Sequence, residues 1–175
     1  AGNPASESWT SAESLRRRVA LLKGLDESAL QRVYDERLKL NPGAELMMEE
    51  LKQHDVKTLL VSGGFIFFTK RLKERLGLDF AHANELEIVN GKLTGEVSGK
   101  IMDAQGKADW LNRIRVELEL QPQHVIAMGD GANDLKMMAE AGVSIAYHAK
   151  PVVRAQASYA LNFVGLDGLV NLFKF

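Results

Sequence analysis

Two short apolar runs of the chain end in polar, glycine-containing loops, and a helical pattern follows each loop. The first run is Val56 to Val61, which leads into Ser62-Gly63-Gly64. The second is Val125 to Met128, and the loop Gly129 to Asn133 follows it. Nearly continuous apolar runs of this length are typical of strands buried on both faces of a parallel sheet. Their alternation with helices predicts a doubly wound α/β fold, with the ligand site at the carboxyl ends of the strands.

The pattern divides the chain into three parts. Residues 1–13 are predicted to form a leader, residues 14–54 a region of short helices, and residues 55–175 the α/β core. A β-hairpin is expected near residues 86–97, because Asn90-Gly91 suits the positive φ angles of a type I′ turn. The predicted helices are Ser14–Lys23, Ser28–Leu38, Ala44 to about His54, Phe65–Leu76, Ala108–Leu120, Asp134–Ala141 and Pro151–Ala157. Two further strands are predicted at Val143–Ala146 and Tyr159–Asn162.

Composition narrows the range of functions. The 175 residues contain no cysteine, which excludes disulfides, thiolate catalysis and zinc-thiolate sites. The net charge of −1 provides no basic field that would attract nucleic acid or an anionic membrane. No apolar run approaches the length of a membrane span, and Ala1 to Thr10 do not resemble a signal peptide. We therefore expect a cytoplasmic protein that binds neither nucleic acid nor membrane.

The loop Gly129 to Asp134 is the strongest candidate for a site. It contains Asp130, Asn133 and Asp134 directly after a predicted strand. Few carboxylates at the end of a parallel strand suit Mg²⁺, which also takes water and phosphate oxygens as ligands. The alternative is an ordinary turn in which Asn133 or Asp134 caps the next helix, and Asp134 could do both.

Three further features are compatible with phosphate binding, but each has a structural alternative. Ser62-Gly63-Gly64 supplies a hydroxyl and backbone N–H groups at a helix start, although such loops are common. Lys107 is predicted near a helix N-terminus, which the helix dipole disfavours, so either a site role or a solvated surface position is open. Of Arg16 to Arg18, at least one is expected to face away from solvent, although such runs are usually solvated. The histidines are expected to be structural.

Taken together, these segments resemble the phosphoserine phosphatase family of the haloacid dehalogenase (HAD) superfamily. The matching segments run in order from about Ser14 to the C-terminus. They are Ser14–Val19, Val61–Phe65, Asn84–Gly95, Asp103–Lys107, Gly129–Leu135 and Ile145–Pro151. The resemblance implies an HAD-like doubly wound parallel sheet with a small helical cap.

The resemblance also implies a reaction and a set of residues. It is the Mg²⁺-dependent hydrolysis of O-phospho-L-serine through an aspartyl-phosphate, the last step of serine biosynthesis. By position, Ser62 and the Gly63 N–H bind the phosphoryl group and Lys107 stabilises its charge. Asp130 is a Mg²⁺ ligand, and Asn133 contacts the substrate. Asp134 orients Lys107 and supports the metal shell, and Arg18 binds the substrate carboxylate. A homodimer is a further expectation about the assembly.

One motif of the family has no counterpart in these residues. The family's nucleophile lies in an Asp-x-Asp-x-Thr sequence at the end of the first core strand, and the 175 residues contain no such sequence. We therefore expect the first core strand to be missing and the chain as given to be inactive. The alternatives are a non-catalytic relative that binds phosphate or a partner chain, and a phosphatase for another small phosphomonoester.

Overall fold

The computed structural model describes residues 9–162, 165–166 and 168–172. Six strands are found among them: β1 (Leu59–Phe65), β2 (Phe80–Val89), β3 (Lys92–Ser98), β4 (Ile126–Gly129), β5 (Val143–Tyr147) and β6 (Tyr159–Leu161). The α-helices are α1 (Ser11–Ala20), α2 (Ser28–Arg37), α3 (Ala44–Gln53), α4 (Ile66–Leu76), α5 (Ala104–Glu117), α6 (Leu135–Ala139), α7 (Pro151–Gln156) and α8 (Gly168–Leu172). The alternation of strands and helices confirms the predicted α/β class.

The strands pair as two three-stranded sheets, in the orders β1-β2-β3 and β4-β5-β6. β1 runs parallel to the first half of β2, and the second half of β2 pairs with β3 in an antiparallel hairpin. The strands of the second sheet are all parallel. β1 and β4 are therefore edge strands among the described residues, and neither is hydrogen-bonded to the other.

The first two helices pack on the β2–β3 hairpin. Leu15, Val19 and Leu30 are buried in one apolar cluster with Leu86 and Leu93 of the hairpin. At the start of α1, the Thr10 hydroxyl accepts a hydrogen bond from the Glu13 N–H, and the Glu13 carboxylate accepts one from the Thr10 N–H. This reciprocal cap fixes the helix start. The hairpin thus shares its core with the two helices.

A second cluster connects the two sheets. It contains Ala108 and Leu111 of α5, Ala127 of β4 and Ala146 of β5, and Val61 of β1 packs against it. Because Ala108 directly follows Lys107 and Val61 directly precedes Ser62, this packing brings the candidate site segments to one region of the fold. No helix in the described part of the chain has the length and hydropathy needed to cross a membrane.

Some sequence-based boundaries are wrong. Helix α1 begins at Ser11 instead of the predicted Ser14, because its Thr10 cap lies upstream of the apolar pattern that begins at Leu15. Residues 1–8 of the predicted leader lie outside the described residues. β2 begins at Phe80 and its first half was not predicted, because its polar Asn84 is buried by specific hydrogen bonds that the residue pattern does not reveal. The division into leader, cap and core stays a prediction.

Candidate active site

Lys107 and Asp134 form a buried ion pair at the centre of the candidate site. The Lys107 Nζ lies 2.8 Å from Asp134 Oδ1, and the two side chains are 8% and 10% exposed. Lys107 lies in the first turn of α5, whose start is capped by the Asp103 carboxylate accepting from the Gly106 N–H. A lysine buried at a helix N-terminus needs a compensating anion, and Asp134 provides it. The solvated-surface alternative for Lys107 is therefore wrong.

The second oxygen of Asp134 faces its own loop. Oδ2 accepts hydrogen bonds from the Asp130 N–H at 3.2 Å and the Gly131 N–H at 3.3 Å. Asp134 occupies the N-cap position of α6, as predicted, but its side chain makes no hydrogen bond to that helix. A Cβ at position 129 would lie 2.5 Å from Asp134 Cβ, which explains why glycine is needed there. Gly129 thus allows the loop to close on the carboxylate.

Asp130 differs from Asp134 in its surroundings. It is exposed at the carboxyl end of β4, and no hydrogen bond or ion pair engages its carboxylate within the described residues. Asn133 is also exposed on the same loop. No group of three His, Cys, Asp or Glu residues able to hold a metal ion occurs in the described part of the chain. Asp130 is therefore a free oxygen ligand, but not a complete metal site.

The Ser62–Gly64 segment extends β1 into the N-terminus of α4. The Ser62 hydroxyl accepts a hydrogen bond of 3.0 Å from the Gly64 N–H, and Gly63 and Gly64 are exposed. Between Val61 and Phe65 the register with β2 shifts, so these three residues bulge from the ladder. A bulge at the carboxyl end of a parallel strand turns polar groups towards the ligand edge of the sheet.

Asn84 joins this segment to the one before α5, and it is not among the site residues that the sequence predicts. Its Nδ2 donates to the Gly63 carbonyl at 2.9 Å, and its Oδ1 accepts from the Met102 N–H at 2.7 Å. The side chain is only 1% exposed. The only sequence signal is a polar amide in the first half of β2, which also contains His82, and this signal does not identify either partner.

The arginine run does not behave as expected. Arg16, Arg17 and Arg18 are all exposed, because Leu15 and Val19 occupy the buried stripe of α1. The expectation that one of them faces away from solvent is therefore wrong. Among the described residues, no hydrogen bond or ion pair joins Arg18 to the Ser62 segment or the acidic loop.

Two histidines stack on aromatic rings. His82 lies parallel to Trp110, with ring centroids 3.5 Å apart and an interplanar angle of 9°. Burial lowers the pKa of His82, and the charges of Arg113 and Lys73 lower it further. His148 stacks on Tyr147 with centroids 4.2 Å apart. Both arrangements agree with a structural role for these histidines.

The sequence matches a family of known enzymes. The sequence model of the family described as haloacid dehalogenase-like hydrolase matches residues 3–139 of the chain. The chain belongs to the haloacid dehalogenase-like hydrolase family. Within it, the chain is 51% identical over 166 residues to a phosphoserine phosphatase of a Polaromonas species, which covers 93% of this chain and 70% of that protein. A phosphoserine phosphatase of Vibrio cholerae is 47% identical over 162 residues, but there the chain covers only 49% of the relative.

Solved structures of this HAD-family group have the same fold. An unliganded probable phosphoserine phosphatase from Vibrio cholerae superposes with a TM-score of 0.90 at 46% identity, covering 93% of this chain and 50% of that one. A substrate-bound phosphoserine phosphatase complex gives a TM-score of 0.87 at 36% identity, covering 93% of this chain and 77% of that one. The chain thus spans between half and about three quarters of these relatives. The predicted HAD-like α/β fold is confirmed.

Proposed function

We propose that this chain provides most of the active site of a phosphoserine phosphatase, which hydrolyses O-phospho-L-serine to L-serine and phosphate. The observation that supports this most directly is the buried Lys107–Asp134 pair beside the free carboxylate of Asp130. Phosphoryl transfer requires fixed positive charge and a divalent cation around the transferring group. The similarity to phosphoserine phosphatases agrees with this chemistry.

Each residue then has a role that follows from its position. Ser62 and the Gly63 N–H bind the phosphoryl oxygens at the end of β1. Lys107 stabilises the negative charge that these oxygens share in the transition state, because fixed charge acts strongly where water is excluded. Asp134 keeps the ammonium group of Lys107 in place through its 2.8 Å contact. Asn133 contacts the substrate, and exposed Arg18 on α1 binds the substrate carboxylate.

Mg²⁺ is the proposed cofactor. The donor set fits this ion, because Asp130 offers an unengaged carboxylate and Mg²⁺ usually takes one or two carboxylates with water and phosphate oxygens. When bound, the ion neutralises charge on the phosphoryl oxygens. Asp130 is the proposed Mg²⁺ ligand that this chain supplies. Asp134 is less suited, because both of its oxygens already accept hydrogen bonds.

The nucleophile is proposed to come from a strand that the 175 residues do not contain. β1 and β4 each present an edge without a paired strand in the described residues, and Val61 of β1 packs on the same cluster as Ala127 of β4. Such edges offer unpaired N–H and C=O groups to another strand. We propose that a strand with the Asp-x-Asp-x-Thr sequence pairs there and directs its first aspartate towards Ser62 and Lys107.

A second candidate function rests on the absence of that sequence from these residues. Covalent catalysis has no substitute for its nucleophile, so the 175-residue polypeptide alone is expected to bind phosphate without turnover. It would then act as a phosphate-binding or partner-binding relative. A phosphatase for another small phosphomonoester is a third alternative, because the nucleophile segment also lies next to the substrate.

The test compares the 175-residue polypeptide with the full-length gene product. With O-phosphoserine and Mg²⁺, the full-length protein should turn over, and removal of Mg²⁺ with a chelator or the change Asp130→Asn should abolish turnover. The 175-residue polypeptide should be inactive. Turnover by the 175-residue polypeptide, lost on Asp130→Ala, would refute the proposed nucleophile. A full-length protein that hydrolyses other phosphomonoesters faster than O-phosphoserine would refute the proposed substrate.

Three further parts of the proposal concern the cellular setting. The reaction would be the last step of serine biosynthesis, it would take place in the cytoplasm, and the enzyme would form a homodimer. Sedimentation equilibrium of the full-length protein tests the dimer, and growth of a serine auxotroph that carries the gene tests the pathway.

A further inference from the structure

We propose that Asn84 is a positioning residue, which aligns the phosphate-binding Ser62–Gly64 segment with the helix that presents Lys107. This inference deepens the proposed function and rests on it. Asn84 is not itself expected to touch the substrate, since its two hydrogen bonds are to backbone groups and its side chain is 1% exposed.

The first hydrogen bond restrains a residue that has no side chain to pack. Gly63 has no side chain, and nothing lies within 4 Å of the position that a Cβ would take there. The 2.9 Å bond from Asn84 Nδ2 to the Gly63 carbonyl is therefore a principal restraint on this residue. Because the peptide group is planar, fixing the Gly63 carbonyl also fixes the direction of the Gly64 N–H, which donates to the phosphate-binding Ser62 hydroxyl at 3.0 Å.

The second hydrogen bond reaches the segment before α5. Asn84 Oδ1 accepts from the Met102 N–H at 2.7 Å, and the next residue, Asp103, caps the helix. The Lys107 N–H donates to the Asp103 carbonyl at 3.0 Å in the first turn of that helix. Asn84 thus ties the start of α5 to the same strand end that bears Gly63.

These bonds form a continuous path between the three candidate site segments. From Gly63 the path runs through Asn84 to Met102 and the first turn of α5. Lys107 then pairs with Asp134, which accepts from the Asp130 N–H. A displacement at Asn84 would change the distance between the phosphate-binding segment and the lysine. The Asn84 amide donates through its nitrogen and accepts through its oxygen, so one side chain serves both backbone groups.

The experiment measures kcat and KM for O-phosphoserine in the full-length enzyme with Asn84→Ala and Asn84→Asp. Asn84→Asp keeps an acceptor for the Met102 N–H but loses the donor to Gly63. Both variants should lower kcat by about 100-fold, the cost of a misplaced catalytic group, and change KM by less than about threefold. We expect kcat to fall while KM changes little, because the alignment of catalytic groups matters more in the transition state than for ground-state binding.

Ser144→Ala is the matched control for burial. Ser144 is 7% exposed on β5, and its hydroxyl accepts from the Ser158 N–H at 3.1 Å. The change should lower thermal stability as a buried polar deletion does, while kcat stays within about twofold of the wild type. A purely structural role for Asn84 would give the same pattern as this control.

Each outcome decides the inference. If folded Asn84→Ala or Asn84→Asp keeps kcat within about threefold of the wild type, the inference is wrong and the proposed function stands. If KM rises as much as kcat falls, Asn84 acts on binding and the positioning role is also wrong. If Asn84→Ala does not fold, the isosteric Asn84→Asp decides. An inactive wild-type enzyme would refute the proposed function and this inference with it.

Discussion

The Lys107–Asp134 pair should be strongly coupled in the free energy of unfolding. The two side chains are 8% and 10% exposed and their charged atoms are 2.8 Å apart. Lys107→Met leaves Asp134 buried without its cation, and removing one member of a buried pair costs about 3–5 kcal/mol. We expect the lower end, about 3 kcal/mol, because Asp134 Oδ2 keeps two backbone N–H donors.

The double variant makes this prediction specific. Asp134→Asn alone leaves the Lys107 ammonium group buried beside a neutral amide and should also cost about 3 kcal/mol. When both charges are absent, no buried charge is left unpaired, so the double variant should cost no more than either single one. The magnitude of the coupling free energy is then at least about 3 kcal/mol, at the upper end of the range for residues in contact.

Urea unfolding followed by circular dichroism measures the free energy of unfolding of the wild type, the two single variants and the double variant. The matched control is the exposed pair Lys57–Asp55, in which the charged atoms are 3.5 Å apart and the side chains are 50% and 93% exposed. Its coupling should stay below about 1 kcal/mol. A Lys107–Asp134 coupling no larger than that of the control would refute the reasoning that burial makes the pair interdependent.

Two other predictions follow from the surroundings of individual residues. Gly129→Ala should lower stability and phosphatase activity together, because the new Cβ would lie 2.5 Å from Asp134 Cβ, and a full-activity variant would contradict the close approach. Burial, followed by the charges of Arg113 and Lys73, lowers the pKa of His82 below its ordinary value of 6.5. The unfolded chain therefore binds the second imidazole proton of His82 more tightly than the folded chain does. The free energy of unfolding should therefore fall as the pH drops below 6.5, and His82→Phe should weaken that dependence; an unchanged pH profile in His82→Phe would contradict it.

Local signals in the sequence predicted local structure well. Asn90-Gly91 predicted the hairpin turn, and both residues have positive φ, at 50° and 75°. The start of α2 at Ser28 and of α3 at Ala44 was also predicted correctly. These features depend on a few neighbouring residues, for which backbone preference and apolar spacing are sufficient.

The features that the sequence did not predict depend on contacts between residues that are far apart in the chain. The burial of Asn84 comes from backbone groups of Gly63 and Met102, which are 21 and 18 residues away. Similarly, the Asp134 carboxylate reaches Lys107, 27 residues upstream, and makes no hydrogen bond to α6, the helix that follows it. Periodicity and loop composition cannot indicate such partners, so the chemistry of the loops was predictable but the bonds that align them were not.

The most direct test of the proposed active site is the comparison of Lys107→Ala with Lys150→Ala in the full-length protein. Lys107 is buried beside Asp134, whereas Lys150 is exposed at the start of α7. The measurement is kcat/KM for O-phosphoserine at saturating Mg²⁺, with folding checked by circular dichroism. Lys107→Ala should lose at least about 100-fold, near 3 kcal/mol in the barrier, while Lys150→Ala should lose almost nothing. Similar losses in two folded variants would contradict the role of Lys107 in stabilising the phosphoryl group.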